Sequence, residues 1–206
     1  MTHTLHRRGT RESLSKDFVI MMIPAQGYND IGSDEKLKEF LKMAVRHNPK
    51  NVGTLKANMY SHSAQYVVDH AEKLAHAVFV DRKTVAAVLS ALKKADLGLS
   101  VIVSGVLDEV ETACREAGLD RHTVEFSLGI WGNTSRLPSD EVLQVTTMCG
   151  HGLVATSLVK SLLEEIRAGS RTPQAAGEEC ARHCCCGIFN PSRAAELAAA
   201  FADSSK

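Results

Sequence analysis

The sequence predicts an α/β fold with a mainly parallel sheet of about four strands, followed by a helical C-terminal subdomain. Four short apolar runs alternate with segments whose apolar residues repeat at helical spacing. Parallel neighbours in a sheet require such crossover helices. The strand order cannot be read from the sequence, so an antiparallel edge strand or a ferredoxin-like split arrangement stays open. After Pro138 only helical patterns follow.

We divide the chain into a basic N-terminal segment, 1–16, an α/β domain, 17–137, and a helical cysteine-containing subdomain, 138–206. The strand-like runs lie at 18–25, 75–80, 99–105 and 122–132. Helices are predicted around Leu37 to Ala44, over 64–74, from Thr84 to Ala95 and from Leu107 to Ala117. The polar stretch 48–63 is interpreted as a long loop.

Four short helices are predicted in the last subdomain. Ser139 caps the first, and the third and fourth open on Thr172-Pro173 and Asn190-Pro191. The predicted ranges are 139–147, 153–167, 173–183 and 191–202. A short turn between the second and third helices makes them antiparallel.

Composition limits the function classes. The 206 residues are 44% hydrophobic and 23% charged, as in an ordinary globular protein, and the 24 basic residues balance 24 acidic ones. A neutral chain has no net field for nucleic acid or an anionic membrane, so neither partner is expected. The longest apolar run, 18–25, is too short to span a bilayer, and no signal-peptide pattern precedes it. We therefore expect a cytoplasmic protein.

The stretch HCCCGIFNP, residues 183–191, places three of the six cysteines side by side. In a reducing compartment cysteines indicate metal ligands or reactive thiols rather than disulfides. Cys149, in MCGHG, directly precedes the second helix of the subdomain, and the cysteine run directly follows the third. Antiparallel helices would bring the two loops together.

The expected metal ligands are Cys149, Cys184 and Cys186. In an extended CxC the first and third side chains project to one side, so Cys185 is a competitor only. Three ligands leave one position open on an iron–sulfur cluster, 4Fe-4S, with zinc or no metal as the alternatives. Two helix starts facing this junction would favour thiolates over thiols.

A rival interpretation needs no cofactor. Cys149 at a helix start, two residues from His151, has the surroundings that activate a thiol nucleophile. MCGHG resembles the active-site cysteine motif of proline racemases, which use paired cysteines as acid and base. That resemblance covers five residues of a family that is larger and strand-rich, so no family is assigned. A noncatalytic redox sensor or assembly factor is the third hypothesis.

If the protein is an enzyme, the sequence favours an iron–sulfur-dependent lyase or reductase acting on a small anionic molecule. Arg7 and Arg8 could hold such a substrate, because arginine forks bind carboxylates and phosphates. His151 is the candidate acid or base. Asn29, Trp131 and Asn190 are the candidate substrate-binding residues, the first two at the edge of a parallel sheet where ligands bind. The sequence does not indicate an oligomeric state.

Overall fold

The four strands of the protein form one antiparallel sheet. The structure is a computed structural model that describes residues 2–203. In sheet order β2-β3-β1-β4, each neighbouring pair is antiparallel. The strands are β1 (Phe18–Ile23), β2 (Asn51–Gly53), β3 (Ala75–Phe79) and β4 (Ser100–Ser104).

The predicted mainly parallel sheet is therefore wrong. β1 and β2 do run parallel to each other, but β3 lies between them, and β1 likewise separates the parallel strands β3 and β4. The crossover helices thus connect parallel strands that are not neighbours. This is the split β-α-β arrangement that the sequence left open.

Two segments account for the difference between the predicted and the observed strands. Residues 51–53, assigned to a long loop, form β2 at one edge of the sheet. Residues 122–132, predicted as a strand, lie outside the sheet and are exposed. Residues 51–53 are too few to show the alternation of apolar and polar residues that indicates a strand. Residues 122–132 do show this alternation, but they pair with no strand in this structure.

The predicted helices all form, with shifts of a few residues at their ends. Side-chain oxygens of Ser63, Asp81 and Thr172 accept hydrogen bonds from backbone amides and cap three of them. The helices are α1 (Arg11–Leu14), α2 (Ser33–Val45), α3 (Ala64–Asp69), α4 (Arg82–Ala95), α5 (Leu107–Glu116), α6 (Asp140–Thr146), α7 (Thr156–Arg167), α8 (Pro173–His183) and α9 (Pro191–Asp203). None of the helices in the described part of the chain is long and apolar enough to cross a membrane.

Both faces of the sheet are covered. Phe18, Ile20 and Met22 of β1 lie in one core with α2 to α5, whereas Val19 lies in a second core with α6 to α9. A strand buried on both faces has a continuous apolar sequence, which is typical of parallel sheets. The FVIMMI sequence of β1 reflects this double burial and not the direction of its neighbours.

A buried ion network joins the two ends of the chain to the start of β1. Asp17 lies 3.1 Å from an arginine nitrogen on each side, Arg7 through Oδ1 and Arg193 through Oδ2. The three side chains are at most 7% exposed. Burial lowers the pKa of Arg193, and the charge of Asp17 opposes that shift.

Replacing Asp17→Asn should strongly destabilise the fold. The amide keeps the shape of the carboxyl group but leaves two buried guanidinium groups without their counter-charge. Breaking a buried ion pair in this way costs about 3–5 kcal/mol. Urea unfolding measures the change in the free energy of unfolding.

The matched control is Glu196→Gln, which removes the exposed ion pair between Glu196 and Lys16. We expect no measurable change in the urea midpoint for this variant, because solvent screens an exposed pair. Equal midpoints for Asp17→Asn and the native chain would show that the buried network does not hold the termini.

Candidate thiolate site

Three cysteine thiols from two loops form one buried cluster. The Cys149 thiol interacts with that of Cys184, and Cys184 Sγ lies 3.6 Å from Cys186 Sγ. All three residues are buried, whereas Cys185 is exposed between its neighbours. The structure therefore brings together the residues that the CxC alternation selected and directs Cys185 to solvent.

His151 lies at the exposed end of this cluster. Its Nδ1 atom is 3.4 Å from Cys186 Sγ. The imidazole was predicted beside Cys149 as an acid or base, but the sulfur it contacts here is that of Cys186. The side chains thus form a row that runs from Cys149 through Cys184 and Cys186 to His151.

The thiols of Cys149 and Cys184 are held in the protonated form. The hydrogen bond with Cys184 and burial raise the pKa of Cys149, and the backbone amides of His151 and Leu153 oppose that shift. For Cys184 the bond with Cys149 lowers the pKa, but the bond with Cys186 and burial raise it to about 12. The expectation that helix ends would favour thiolates is not met, since the amides that reach these sulfurs come from loops.

The cysteine turn lies against one face of β2. A Cβ atom on Gly53 would overlap the carbonyl of Cys186, and one on Gly187 would lie 2.6 Å from Gly53 Cα. Gly187 also has φ +70°, which a residue with a side chain rarely adopts. Glycine at both positions therefore permits the contact between strand and turn.

Two buried asparagines hold the same turn. Asn58 Nδ2 donates to the carbonyls of Cys184, at 2.7 Å, and Ala181, at 3.2 Å. Asn51 Nδ2 donates to the Phe189 carbonyl at 2.9 Å. The turn is thus fixed before and after the three cysteines, which leaves little freedom for its backbone.

Arg7 links the two cysteine loops. Its Nε donates to the Met148 carbonyl at 2.8 Å and its Nη2 to the Ile188 carbonyl at 3.2 Å. Met148 directly precedes Cys149, and Ile188 lies two residues after Cys186. The guanidinium group, predicted to hold an anionic substrate, is buried and engaged with these carbonyls and with Asp17.

The other candidate substrate residues lie apart from the thiols or are already engaged. Asn29 Oδ1 accepts from the Ala25 amide and its Nδ2 donates to Gly98 O, beyond the C-terminal end of β1. Asn190 is buried and contacts Asp17 and Lys16, before the other end of β1. An antiparallel sheet has no common carboxyl edge, so the edge that was to join Asn29 to Trp131 does not exist.

Trp131 and Arg8 occupy the surface. The Trp131 side chain is 84% exposed, and its indole N–H donates to the Leu128 carbonyl. Arg8 pairs with Asp140 at 3.1 Å. With His6 and Thr147 it lines a pocket of about 280 Å³ that is apolar on its other sides. Substrate binding by these residues stays a prediction.

Several residues of the site were not found from the sequence. Asn51, Gly53 and Asn58 fell in the stretch assigned to a loop, and only the tertiary contact reveals their role. The one available signal was the presence of three asparagines and a glycine in that stretch, since asparagine can satisfy backbone groups and glycine permits close approach.

In the part of the chain that the structure describes, no three His, Cys, Asp or Glu side chains are arranged, as they stand, to hold a metal ion. The three thiols and the imidazole lie in a row, so they do not surround a common centre. Comparison with protein-family models, curated proteins and solved structures finds no match to this chain.

Replacing Gly53→Ala should displace the cysteine turn from β2, because the new methyl group would overlap the Cys186 backbone. Overpacking of this kind costs about 1–3 kcal/mol. We expect a lower melting temperature and faster labelling of Cys186 by a thiol reagent, measured by mass spectrometry.

Gly27→Ala is the control. Gly27 also has a positive φ, +78°, but has no atom within 4 Å of an added Cβ. That variant should lose stability without exposing Cys186. If Gly53→Ala left the labelling of Cys186 unchanged, the contact with β2 would not position the turn.

In the folded, metal-free protein, Cys185 should be alkylated first among the clustered cysteines. Raising a thiol pKa from 9.0 to about 12, as burial and neighbours do for Cys184, lowers the thiolate fraction at neutral pH about a thousandfold. Timed reaction with iodoacetamide followed by peptide mapping gives the order. Preferential labelling of Cys149 would instead support the nucleophile hypothesis. Denatured protein, in which all six cysteines should react at similar rates, is the control.

Proposed function

We propose that this protein binds a single thiophilic metal ion through Cys149, Cys184 and Cys186, with His151 as the fourth ligand. The observation that carries the proposal is the buried row of three thiols that ends in an imidazole. Sulfur and imidazole nitrogen are the ligands that zinc prefers in proteins, and Cys₃His is one of its common ligand sets.

The local electrostatics of Cys149 and Cys184 favour a cation beside them. The backbone amides of His151 and Leu153 lower the pKa of Cys149, and the amide of Phe189 lowers that of Cys184. Burial and the neighbouring thiols outweigh these amides and raise both pKa values, because adjacent negative charges are costly to bury together. A divalent cation removes that repulsion and deprotonates its coordinating thiols.

The spacing of the ligand atoms favours one ion over a cluster. Zinc–sulfur bonds of about 2.3 Å at tetrahedral angles place two ligand sulfurs about 3.8 Å apart, and sulfur and nitrogen about 3.5 Å apart. The observed Sγ–Sγ and Sγ–Nδ1 distances are 3.6 and 3.4 Å. An iron–sulfur cluster lies between its ligands and holds their sulfurs farther apart, so zinc, the alternative of the sequence analysis, is the better fit. Binding requires the four side chains to turn toward a common centre.

Four protein ligands make a closed site, which is typical of structural zinc. Arg7 would then act as a positioning residue, because it holds the carbonyls beside both ligand loops. His151 is the exposed member and the ligand that a substrate could displace. An iron–sulfur lyase or reductase acting on a small anion through an open position remains the alternative, and it requires that His151 not bind.

Purified under anaerobic conditions, the protein should contain about one zinc per chain and no acid-labile sulfide. Cys149→Ser, Cys184→Ser and Cys186→Ser should each remove most of the metal, because each variant loses a thiolate ligand. Cys185→Ser is the matched control: it alters a neighbouring but exposed cysteine and should retain the metal. Elemental analysis and a sulfide assay give the result.

Iron with sulfide would establish a cluster in place of a single ion. A folded chain with neither metal, which also fails to take up added zinc, would contradict the proposal. If such a chain lost two hydrogens on oxidation of Cys184 and Cys186 to a disulfide by hydrogen peroxide, the redox-sensor hypothesis would take its place.

A further inference from the structure

Residues 122–131 form an exposed segment with the sequence pattern of a strand. Phe126 and Leu128 are 66% and 88% exposed, and Trp131 is 84% exposed. Val124, Phe126 and Leu128 alternate with polar residues, so an extended chain would place all three on one face. In the described part of the chain, no backbone–backbone hydrogen bond involves residues 120–131.

The sheet has one covered edge and one open edge. The outer edge of β2 is closed by the turn that follows it, where the Met59 amide donates to the Val52 carbonyl and Gly53 bridges Asn58. β4, at the other end of the sheet, pairs only with β1. Charged side chains and proline usually protect an edge strand from pairing with another chain, and the β4 sequence SVIVS contains neither.

The chain therefore contains both an unpaired strand segment and an unpaired sheet edge. Within one molecule the segment follows β4 through a single helix, α5, and would run parallel to it. In a second copy related by a two-fold axis it can run antiparallel. Antiparallel pairing is the more stable kind and continues the pattern of this sheet.

We propose that the protein forms a two-fold dimer in which residues 122–128 of each copy add as a strand to the free edge of β4 in the other. In this dimer the segment of each copy supplies backbone hydrogen-bond partners to the β4 edge of the other copy. The exposed apolar face of each segment becomes buried at the same contact. The exposed parts of Val124, Phe126 and Leu128 amount to roughly 350 Å² per copy, taking ordinary side-chain areas. Two such segments, with the comparable area that each covers at the facing edge of β4, bury about 1,400 Å², which is within the range for specific interfaces.

The test is sedimentation velocity of the full chain over a wide range of concentrations. We expect a monomer–dimer equilibrium that Phe126→Asp shifts by at least about tenfold toward monomer. Leu55→Asp is the matched control, because Leu55 is exposed in the turn after β2, at the opposite edge of the sheet from β4. It should leave the equilibrium unchanged. Far-UV circular dichroism checks that both variants fold.

Hydrogen exchange identifies the surfaces. In the dimer, amides of 101–103 and 122–128 should become protected together as concentration rises. A chain that is monomeric at every concentration overturns the proposal. Protection of 122–128 in such a monomer would show that the chain's own β4 holds the segment. A dimer that Phe126→Asp does not weaken also overturns it, since another surface must then join the copies.

Discussion

The buried carboxylate of Asp17 is the constraint on which the rest of the structure depends. It stands at the start of β1 and holds a guanidinium group from each end of the chain, Arg7 and Arg193. Because a buried charge is tolerated only when it is paired, the three groups must assemble together or not at all. Arg7, placed in this way, can bind the carbonyls of Met148 and Ile188. The ion network that holds the termini thus also sets the distance between the two cysteine loops.

The thiol site combines parts that are remote in sequence and individually weak. The loop before α7 contributes one sulfur, the turn after α8 contributes two, and β2 with its following turn holds that second turn through Asn58 and Gly53. The buried side-chain amides of Asn51 and Asn58 donate hydrogen bonds to carbonyls of the turn. The close contact at Gly53 fixes the position of the turn against β2. With the backbone of the turn held in this way, the proposed ion binding requires rotation of the four ligand side chains but no movement of the turn.

The sheet has two faces that are both buried and two edges that differ. Double burial explains why β1 consists of large apolar residues, whereas β4 has no fully buried residue and is exposed at its first two positions. The β2 edge is closed by its own chain, and the cysteine turn packs on the neighbouring face. The proposed metal site and the proposed strand pairing thus lie at opposite ends of one sheet.

In the described residues, the amino-acid pattern alone determined eight of the nine α-helices, three of the four strands and the meeting of Cys149 with the turn that contains Cys184 and Cys186. These follow from short-range causes: caps, apolar periods, and a helical hairpin that returns the chain on itself. The sheet direction, the three-residue strand β2 and the strand-like segment outside the sheet were decided by tertiary structure. Strand order depends on which distant strand inserts between two others, and a continuous apolar run records burial on both faces but not the direction of its neighbours. The roles of Arg7, Asn51 and Asn58 have the same origin, since a buried polar side chain takes its partner from whatever backbone the fold brings within hydrogen-bond distance.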